Sequence, residues 1–310
     1  MKSLVTGGAG FIGSNLVRLL ISKNVEVVVV DNLSTGRIDN LSGLNAEFVE
    51  GDIRDKDLVI KASKGADVIF HLAASVGRQK SIEDPQEDSA TNVIGTLNIV
   101  DAAKVNTIPK IVFSSSAAIY GELITPTIGE DHPQMPDSPY GVSKLAAEKH
   151  LLVASQLYNL IVVCLRYFNV YGINQRFDPY GNVIPIFTHN ILEEKAITIF
   201  GDGKQTRDFI NVRDVAMINY LAAIKAKTTT VYNVGSGRSI TINELANVMK
   251  QITNSKVEIV YSARRKGDVL HCKANNSKLK RELGFEPSLE IEADLTEYLS
   301  WYSSIAKVNE

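Results

Sequence analysis

Near its N-terminus the chain runs Val5-Thr6-Gly7-Gly8-Ala9-Gly10-Phe11-Ile12-Gly13, a short strand, a glycine-rich turn and the start of an amphipathic helix. The spacing Gly8-x-Gly10-x-x-Gly13, overlapping Gly7-x-x-Gly10-x-x-Gly13, suits a tight turn whose backbone approaches a pyrophosphate while the helix packs closely on its strand. The helix N-terminus then directs unpaired N–H groups at the anion. Asp31 closes the second strand 18 residues after Gly13, where a carboxylate accepts from adenosine ribose hydroxyls and repels a 2′-phosphate. Asn32-Leu33-Ser34-Thr35 contains no arginine, so NAD is expected over NADP, with Arg37 the one residue that argues otherwise. Asp52-Ile53, beyond the third strand, is placed to cover the adenine.

The following pattern extends that turn into a fold. Leu4–Thr6, Val25–Val30, Ala46–Val49, Val68–Phe70, Ile111–Ser114 and Ile161–Arg166 are apolar or β-branched and too short for buried helices, so they read as strands. Helical spacing fills Phe11–Ser22, Lys56–Ser63, Ala90–Val105 and Gly141–Tyr158 between them. Near-continuous apolar strands alternating with helices predict an α/β fold, a Rossmann-type doubly wound parallel sheet covered on both faces. Beyond about residue 170 the pattern loosens into a Pro/Gly/Asn segment, Phe177–Pro185, a short run Ile197-Thr198-Ile199-Phe200, and helices near Val212–Ala226, Ile242–Thr253 and Leu289–Tyr302. We expect a dinucleotide-binding domain over residues 1–170, a smaller C-terminal α/β substrate lobe over 171–310, and a segment near 210–235 that returns to the first domain.

Composition narrows the partners. The chain has 310 residues, 45% hydrophobic and 22% charged, enough for a large core without disulfides. Acidic and basic residues, 35 against 33, nearly cancel, so neither nucleic acid nor a membrane surface is the expected partner. Apolar runs such as Val25–Val30 fall short of the roughly 20 residues of a spanning helix, and a strand begins too early for a leader, so a cytoplasmic protein is expected. Cys164 and Cys272 follow no pairing pattern and read as reduced thiols.

Tyr140-Gly141-Val142-Ser143-Lys144 places a phenol and an ammonium four residues apart, on one helix face. A tyrosine with a pKa of about 10 is a poor base near neutrality, and an adjacent cation favours its phenolate. Oxidised nicotinamide adds a second positive charge. Ser114-Ser115-Ser116 ends the fifth strand at the carboxyl edge, where open α/β sheets bind ligands, and a hydroxyl there can hold the reacting oxygen and shuttle its proton. His71, near the end of the fourth strand, reads as a packed polar side chain.

Together with His71-Leu72-Ala73-Ala74, Ser114–Gly121, Ser138–Lys144, Arg166–Gly172 and Arg207-Asp208-Phe209, these motifs resemble the extended short-chain dehydrogenase/reductases of the NAD-dependent epimerase/dehydratase type. Within them the chain is most similar to the UDP-glucose and UDP-N-acetylglucosamine 4-epimerases, over nearly its whole length. The resemblance implies Tyr140 as catalytic base, Lys144 as the group that lowers its pKa and holds the nicotinamide ribose, and Ser116 as proton shuttle. It implies an NAD site of Gly7, Gly10, Phe11, Ile12, Gly13, Asp31, Asn32, Ser34, Thr35, Gly36, Asp52, Ile53, Leu72, Ala73, Ala74, Asn92, Ser114 and Tyr167. For the UDP-sugar it implies Ser116, Asn169, Asn182, Val183, Ile199, Phe200, Arg207, Arg265, Asp268 and Cys272, and no metal is expected. Arg207 and Arg265 offer forked donors suited to a diphosphate, and Phe200 an apolar wall.

The resemblance also grades the chemistry. Related dehydratases and decarboxylases carry an acid just after the residue matching Ser116, whereas Ala117-Ala118 follows here, so reversible hydride transfer through a 4-keto sugar is expected. A UDP-glucuronate 4-epimerase, a dehydratase or decarboxylase, and a non-enzymatic NAD-sensing regulator are the alternatives. Cys272 matches a position that is a bulky tyrosine in enzymes restricted to non-acetylated hexoses, so room for a 2-acetamido group is expected. The helix Gly141–Tyr158 carries one apolar stripe, Val142, Leu145, Leu152 and Val153, expected on its own sheet, and a second, Ala147, Leu151, Ala154 and Tyr158, expected on a twofold mate in a homodimer.

Overall fold

The computed structural model describes residues 1–179, 181–264 and 269–306. β1 (Lys2–Thr6) turns through the glycines into α1 (Phe11–Ser22), followed by β2 (Glu26–Asp31), β3 (Glu47–Glu50), α2 (Lys56–Ala62) and β4 (Val68–His71). Then come α3 (Arg78–Glu83), α4 (Pro85–Ser89), a π-turn over Ala90–Ile94, α5 (Gly95–Val105), β5 (Lys110–Ser116), α6 (Pro139–Leu157) and β6 (Ile161–Tyr167). The later elements are β7 (Asn169–Tyr171), α7 (Val183–Leu192), β8 (Ile197–Phe200), β9 (Thr206–Asn211), α8 (Val212–Lys225), β10 (Thr230–Val234) and β11 (Ser239–Thr241). α9 (Ile242–Thr253), β12 (Ile259–Ser262), α10 (Ser277–Leu283) and α11 (Ile291–Ala306) follow them.

The main sheet has seven strands in the order β10-β6-β5-β4-β1-β2-β3, every neighbouring pair parallel. Alternation along each strand fills two cores. Val5, Val29, Phe70, Val112 and Val163 pack with α1 and α8, while Leu4, Val28, Ile69, Ile111 and Val162 pack with α2, α5 and α6. Strand order reverses between β1 and β4, so the loops leaving their carboxyl ends splay apart into a crevice, the place where doubly wound sheets take ligands. A second lobe holds the small sheets β11-β9-β7 and β12-β8 around Tyr171, Ile184, Phe187, Leu245, Leu295 and Tyr298.

Sequence and structure differ where tertiary contacts decide. The expected helix Ala90–Val105 is broken by the π-turn, which begins directly after α4. α6 starts at Pro139, ahead of the expected Gly141, because Ser138 caps it by accepting from Gly141 N at 3.2 Å. The last helix runs Ile291–Ala306, later than Leu289–Tyr302. On α6 both apolar stripes divide, with Leu145 and Leu152 of the first half-buried against core clusters. Ala147, Leu151 and Ala154 face the sheet, while Val142 and Val153 are 53% and 52% exposed and Tyr158 is exposed beyond the helix. Small side chains let the helix approach its strands, which decides the face. Among the described residues no helix is long and apolar enough to cross a membrane.

Candidate active site

The glycine turn has the shape its sequence requires. Gly7 is left-handed at φ +69°, and a Cβ there would lie 2.7 Å from Ala73 N. Gly10 caps α1 without any side-chain hydrogen bond, leaving the amides of Phe11, Ile12 and Gly13 at an uncapped helix N-terminus. Asp31 accepts from Ala9 N at 2.9 Å and Leu33 N at 2.8 Å, and burial raises its pKa. Asn32 donates to Asp52 at 3.0 Å, and Asp52, also held by Arg54, falls to about 2. Leu72, Ala73 and Ala74 leave β4 across from the turn, Ile53 is buried beneath, and Ser34, Thr35 and Gly36 continue from Asp31. An uncapped helix end beside a carboxylate that closes β2 fits a dinucleotide, the diphosphate on the amides of α1 and the adenosine ribose at Asp31.

Three residues expected at the cofactor hold protein partners through their side chains. Asn92 donates to Ser75 O and Ser143 Oγ and accepts from Ser75 N, so its amide ties protein to protein. Ser114 Oγ donates to His71 O at 3.1 Å, and Tyr167 shares its hydroxyl with Asn219. His71 is buried between Thr6 and Thr96, and burial lowers its pKa to about 3, which makes it neutral packing.

Ser116, Tyr140 and Lys144 meet at the carboxyl end of β5. Capping by Ser138 puts Tyr140 in the first turn of α6 and Lys144 one turn later on the same face. Gly141 permits the approach: a Cβ there would lie 2.5 Å from Ala118 O. The Ser116 hydroxyl lies near enough to the Tyr140 phenol to favour its ionised form, and Ala118 N donates to Ser116 Oγ at 3.1 Å. The electrostatics depart from expectation. Burial outweighs every other influence on Tyr140 and pushes its phenol up to about 12; the nearby Ser116 hydroxyl opposes this and Asp88 adds to it. Lys144 is 2% exposed, its ammonium 4.4 Å above the Phe113 ring, and burial brings it down to about 8, partly offset by Asp88 and Glu148.

Two groups around this cluster escaped the sequence reading. Asp88 is buried, takes a short hydrogen bond from Ser143 Oγ and accepts from Asn92. Glu148 binds Arg166 through two contacts, at 2.6 and 3.1 Å, and accepts from Ser115 Oγ at 2.6 Å. Arg166 also reaches Tyr120 OH, so the ion pair braces the strand that presents Ser116. Glu148 lies four residues after Lys144, a spacing that places both on one face; Asp88 gives no such signal.

In the second lobe Asn169, Asn182, Val183, Ile199, Phe200 and Arg207 line one pocket of about 190 Å³. Asn169 donates to Asp208 O, Asn182 caps α7 through its backbone alone, and Arg207 donates to Thr206 O and Val269 O. Asp208, fully buried, accepts from Ser236 N, Gly237 N and Ala274 N, tying the strand that carries Arg207 to the segment after Cys272. Cys272 packs against the buried cluster of Ile119, Tyr120, Ile128, Phe168 and Ala274, and burial pushes its thiol up to about 12. Arg265 and Asp268 lie outside the described residues.

Comparison with known proteins agrees with this geometry. The family model described as NAD dependent epimerase/dehydratase matches residues 3–235. A UDP-glucose 4-epimerase of Halalkalibacterium halodurans is 37% identical over 305 residues, covering 93% of this chain and 91% of the relative. The UDP-glucose 4-epimerase of Thermotoga maritima, solved with UDP-glucose, superposes with a TM-score of 0.93 at 39% identity over 99% of this chain and all of that one. A UDP-N-acetylglucosamine 4-epimerase from Methanobrevibacter ruminantium M1, solved with UDP-N-acetylmuramic acid, gives a TM-score of 0.94 at 37% identity over 98% of both chains.

Proposed function

The chain belongs to the NAD dependent epimerase/dehydratase family, and from that premise we propose that it is a UDP-hexose 4-epimerase, acting on UDP-glucose and UDP-galactose and on their N-acetylated counterparts. The observation that carries this is the gathering of Ser116 at the end of β5 with Tyr140 and Lys144, one turn apart on α6, followed by Ala117-Ala118 where a dehydratase needs an acid. Relatives of both substrate classes share its fold over nearly the full chain.

Bound NAD supplies a hydride acceptor and donor at the sugar C4. Tyr140 takes the proton of the C4 hydroxyl, and Ser116, close beside it, orients that oxygen and passes the proton. With a pKa near 12 the phenol ionises only where positive charge offsets burial, and Lys144 holds that charge below about pH 8. The ketone turns over within the pocket, and Tyr140 returns its proton to the C4 oxygen as that carbon is reduced from its other face. Gly7, Gly10, the α1 amides, Asp31 and Asp52 hold the dinucleotide. Asn182, Val183, Ile199 and Phe200 hold the uracil, Arg207 with Arg265 and Asp268 holds the diphosphate and ribose, and Asn169 borders the sugar. Cys272, smaller than the tyrosine of hexose-restricted relatives, leaves space for a 2-acetamido group.

The exposed stripe of Val142, Val153 and Leu157 on α6, with Ile94 and Val105 beside α5, supports a homodimer, and a cytoplasmic location follows from the substrate. Sedimentation at micromolar concentration gives a dimer on this account and a monomer against it.

Purified protein incubated with UDP-galactose, UDP-N-acetylgalactosamine and UDP-glucuronate, without added NAD, should convert the first two to their 4-epimers. Conversion of UDP-glucuronate alone, or formation of a dehydrated or decarboxylated product, would overturn the assignment. Tyr140→Phe should slow turnover by about 10²- to 10⁴-fold. Cys272→Tyr should depress turnover of the N-acetylated pair while sparing the hexose pair, and an unchanged ratio would remove the gate.

A further inference from the structure

A larger cavity, about 830 Å³, opens away from the substrate pocket and shares no lining residue with it. α1, the Arg37–Asn40 turn, the segment Ile173–Arg176, α8 and α11 each contribute to its wall. Its volume falls in the range of small-molecule sites.

The charges in it do not balance. Arg18, Arg37, Arg176 and Arg213 line it against only two carboxylates, Asp39 and Glu297. Arg213 is already held by Asp294 at 2.5 Å and Glu297 at 2.6 Å, which uses Glu297. That leaves three guanidinium groups against Asp39, and among the described residues none of the three forms an ion pair. Arg176 Nε is buried without a hydrogen-bond partner, a condition that costs about 1–3 kcal/mol. Burial and the nearby charge of Arg37 both act against its cationic form, with Asp39 only partly compensating. Arg18 and Arg37 are exposed, so the cost falls on Arg176, and an anion shared by the three would relieve it.

The remaining wall tells what that anion carries. Leu19, Met217 and Trp301 present apolar surface beside the arginines, and the Trp301 ring is only partly buried. Forked guanidinium donors match phosphate oxygens, and a ring or apolar body would occupy the remaining wall. We infer that this cavity is a second ligand site, which takes a phosphorylated small molecule bearing a planar or apolar part through Arg18, Arg37 and Arg176 and packs that part against Trp301.

Trp301 is the only tryptophan in the chain, so its emission reports on this cavity. Cofactor-loaded protein is titrated at low ionic strength with ADP, with adenosine and with pyrophosphate. ADP should change Trp301 emission saturably, and each half alone should bind more weakly. The double substitution Arg18→Gln with Arg176→Gln should weaken ADP binding at least about tenfold, leaving UDP-galactose turnover and its inhibition by ADP unchanged. Arg18 is exposed, so Arg18→Glu tolerates folding and gives the same weakening if the double variant does not fold. Three results would overturn the site: no saturable response to ADP, equal affinity in the arginine variants, or a response that UDP-galactose displaces competitively, which would place ADP in the substrate pocket.

Discussion

Replacing Lys144 by Met separates what this side chain does for the fold from what it does for the reaction. Lys144 is 2% exposed and its pKa is brought from 10.5 down to about 8 by burial. At about 1.4 kcal/mol per pH unit, that depression is a penalty of about 3 kcal/mol on the charged, folded state. The sign follows from linkage: the folded pKa lies below the unfolded one, so the penalty is complete below about pH 8, shrinks as pH rises, and is gone above 10.5. Methionine keeps an unbranched apolar stem without the charge. With about 2.1 cal/mol/K of unfolding entropy per residue, a chain of 310 residues converts 3 kcal/mol into about 4–5 °C. The attraction to Asp88 is already contained in that net penalty, and loss of the contact over Phe113 reduces the gain, so cofactor-free Lys144→Met should melt about 2–5 °C higher at pH 7. The advantage should fade toward pH 10.5, and epimerase turnover should fall about 10²-fold or more. Calorimetry across that pH range reads the first effect and product separation the second. A variant that melts lower at pH 7, or whose gain is the same at both ends of the range, would refute the burial argument.

Two further substitutions probe the groups that surround the cluster. Glu148→Gln leaves Arg166, with a side chain only 3% exposed, without its carboxylate, and should cost about 3–5 kcal/mol, a fall in Tm of about 5–8 °C; a fall below about 2 °C would mean the guanidinium finds other partners. Asp88→Asn removes a negative charge that opposes ionisation of Tyr140, so the acid limb of the kcat pH profile should move to lower pH, and a move to higher pH would show that Asp88 acts only through Ser143.

Local spacing is what a sequence displays, and it delivered the elements that depend on it. The glycine turn, the six strands that open the main sheet and the Tyr140–Lys144 pair all follow from periods of two or four residues. The π-turn at Ala90–Ile94 does not, because Asn92 is turned inward by Ser75 and Ser143, partners far away in the chain. The short strands of the second lobe, such as β7 and β11 with three residues each, are too brief to show alternation. α6 failed in a different way: both of its faces are apolar, and only contact with the sheet shows that the alanine-bearing face is the one that fits.

The pKa of Tyr140 shows how burial can outweigh the charge that a motif's spacing displays. Spacing established that a cation lies one helical turn from the phenol, and from that a lowered pKa followed. Depth decides the sign, and depth is set by β5, β6 and the Ser116–Ala118 turn closing over α6, none of which spacing measures. Burial also brings Lys144 down, so the ammonium expected to activate the phenol is itself near its titration point. The pair is therefore strained in both members, with the phenol held protonated and the lysine poorly solvated. A positively charged ring bound beside them would relieve the first and sharpen the second, which ties ionisation of Tyr140 to occupancy of the dinucleotide site. The same substitution of Lys144 that stabilises the empty chain should thus weaken that coupling, so turnover and stability move in opposite directions.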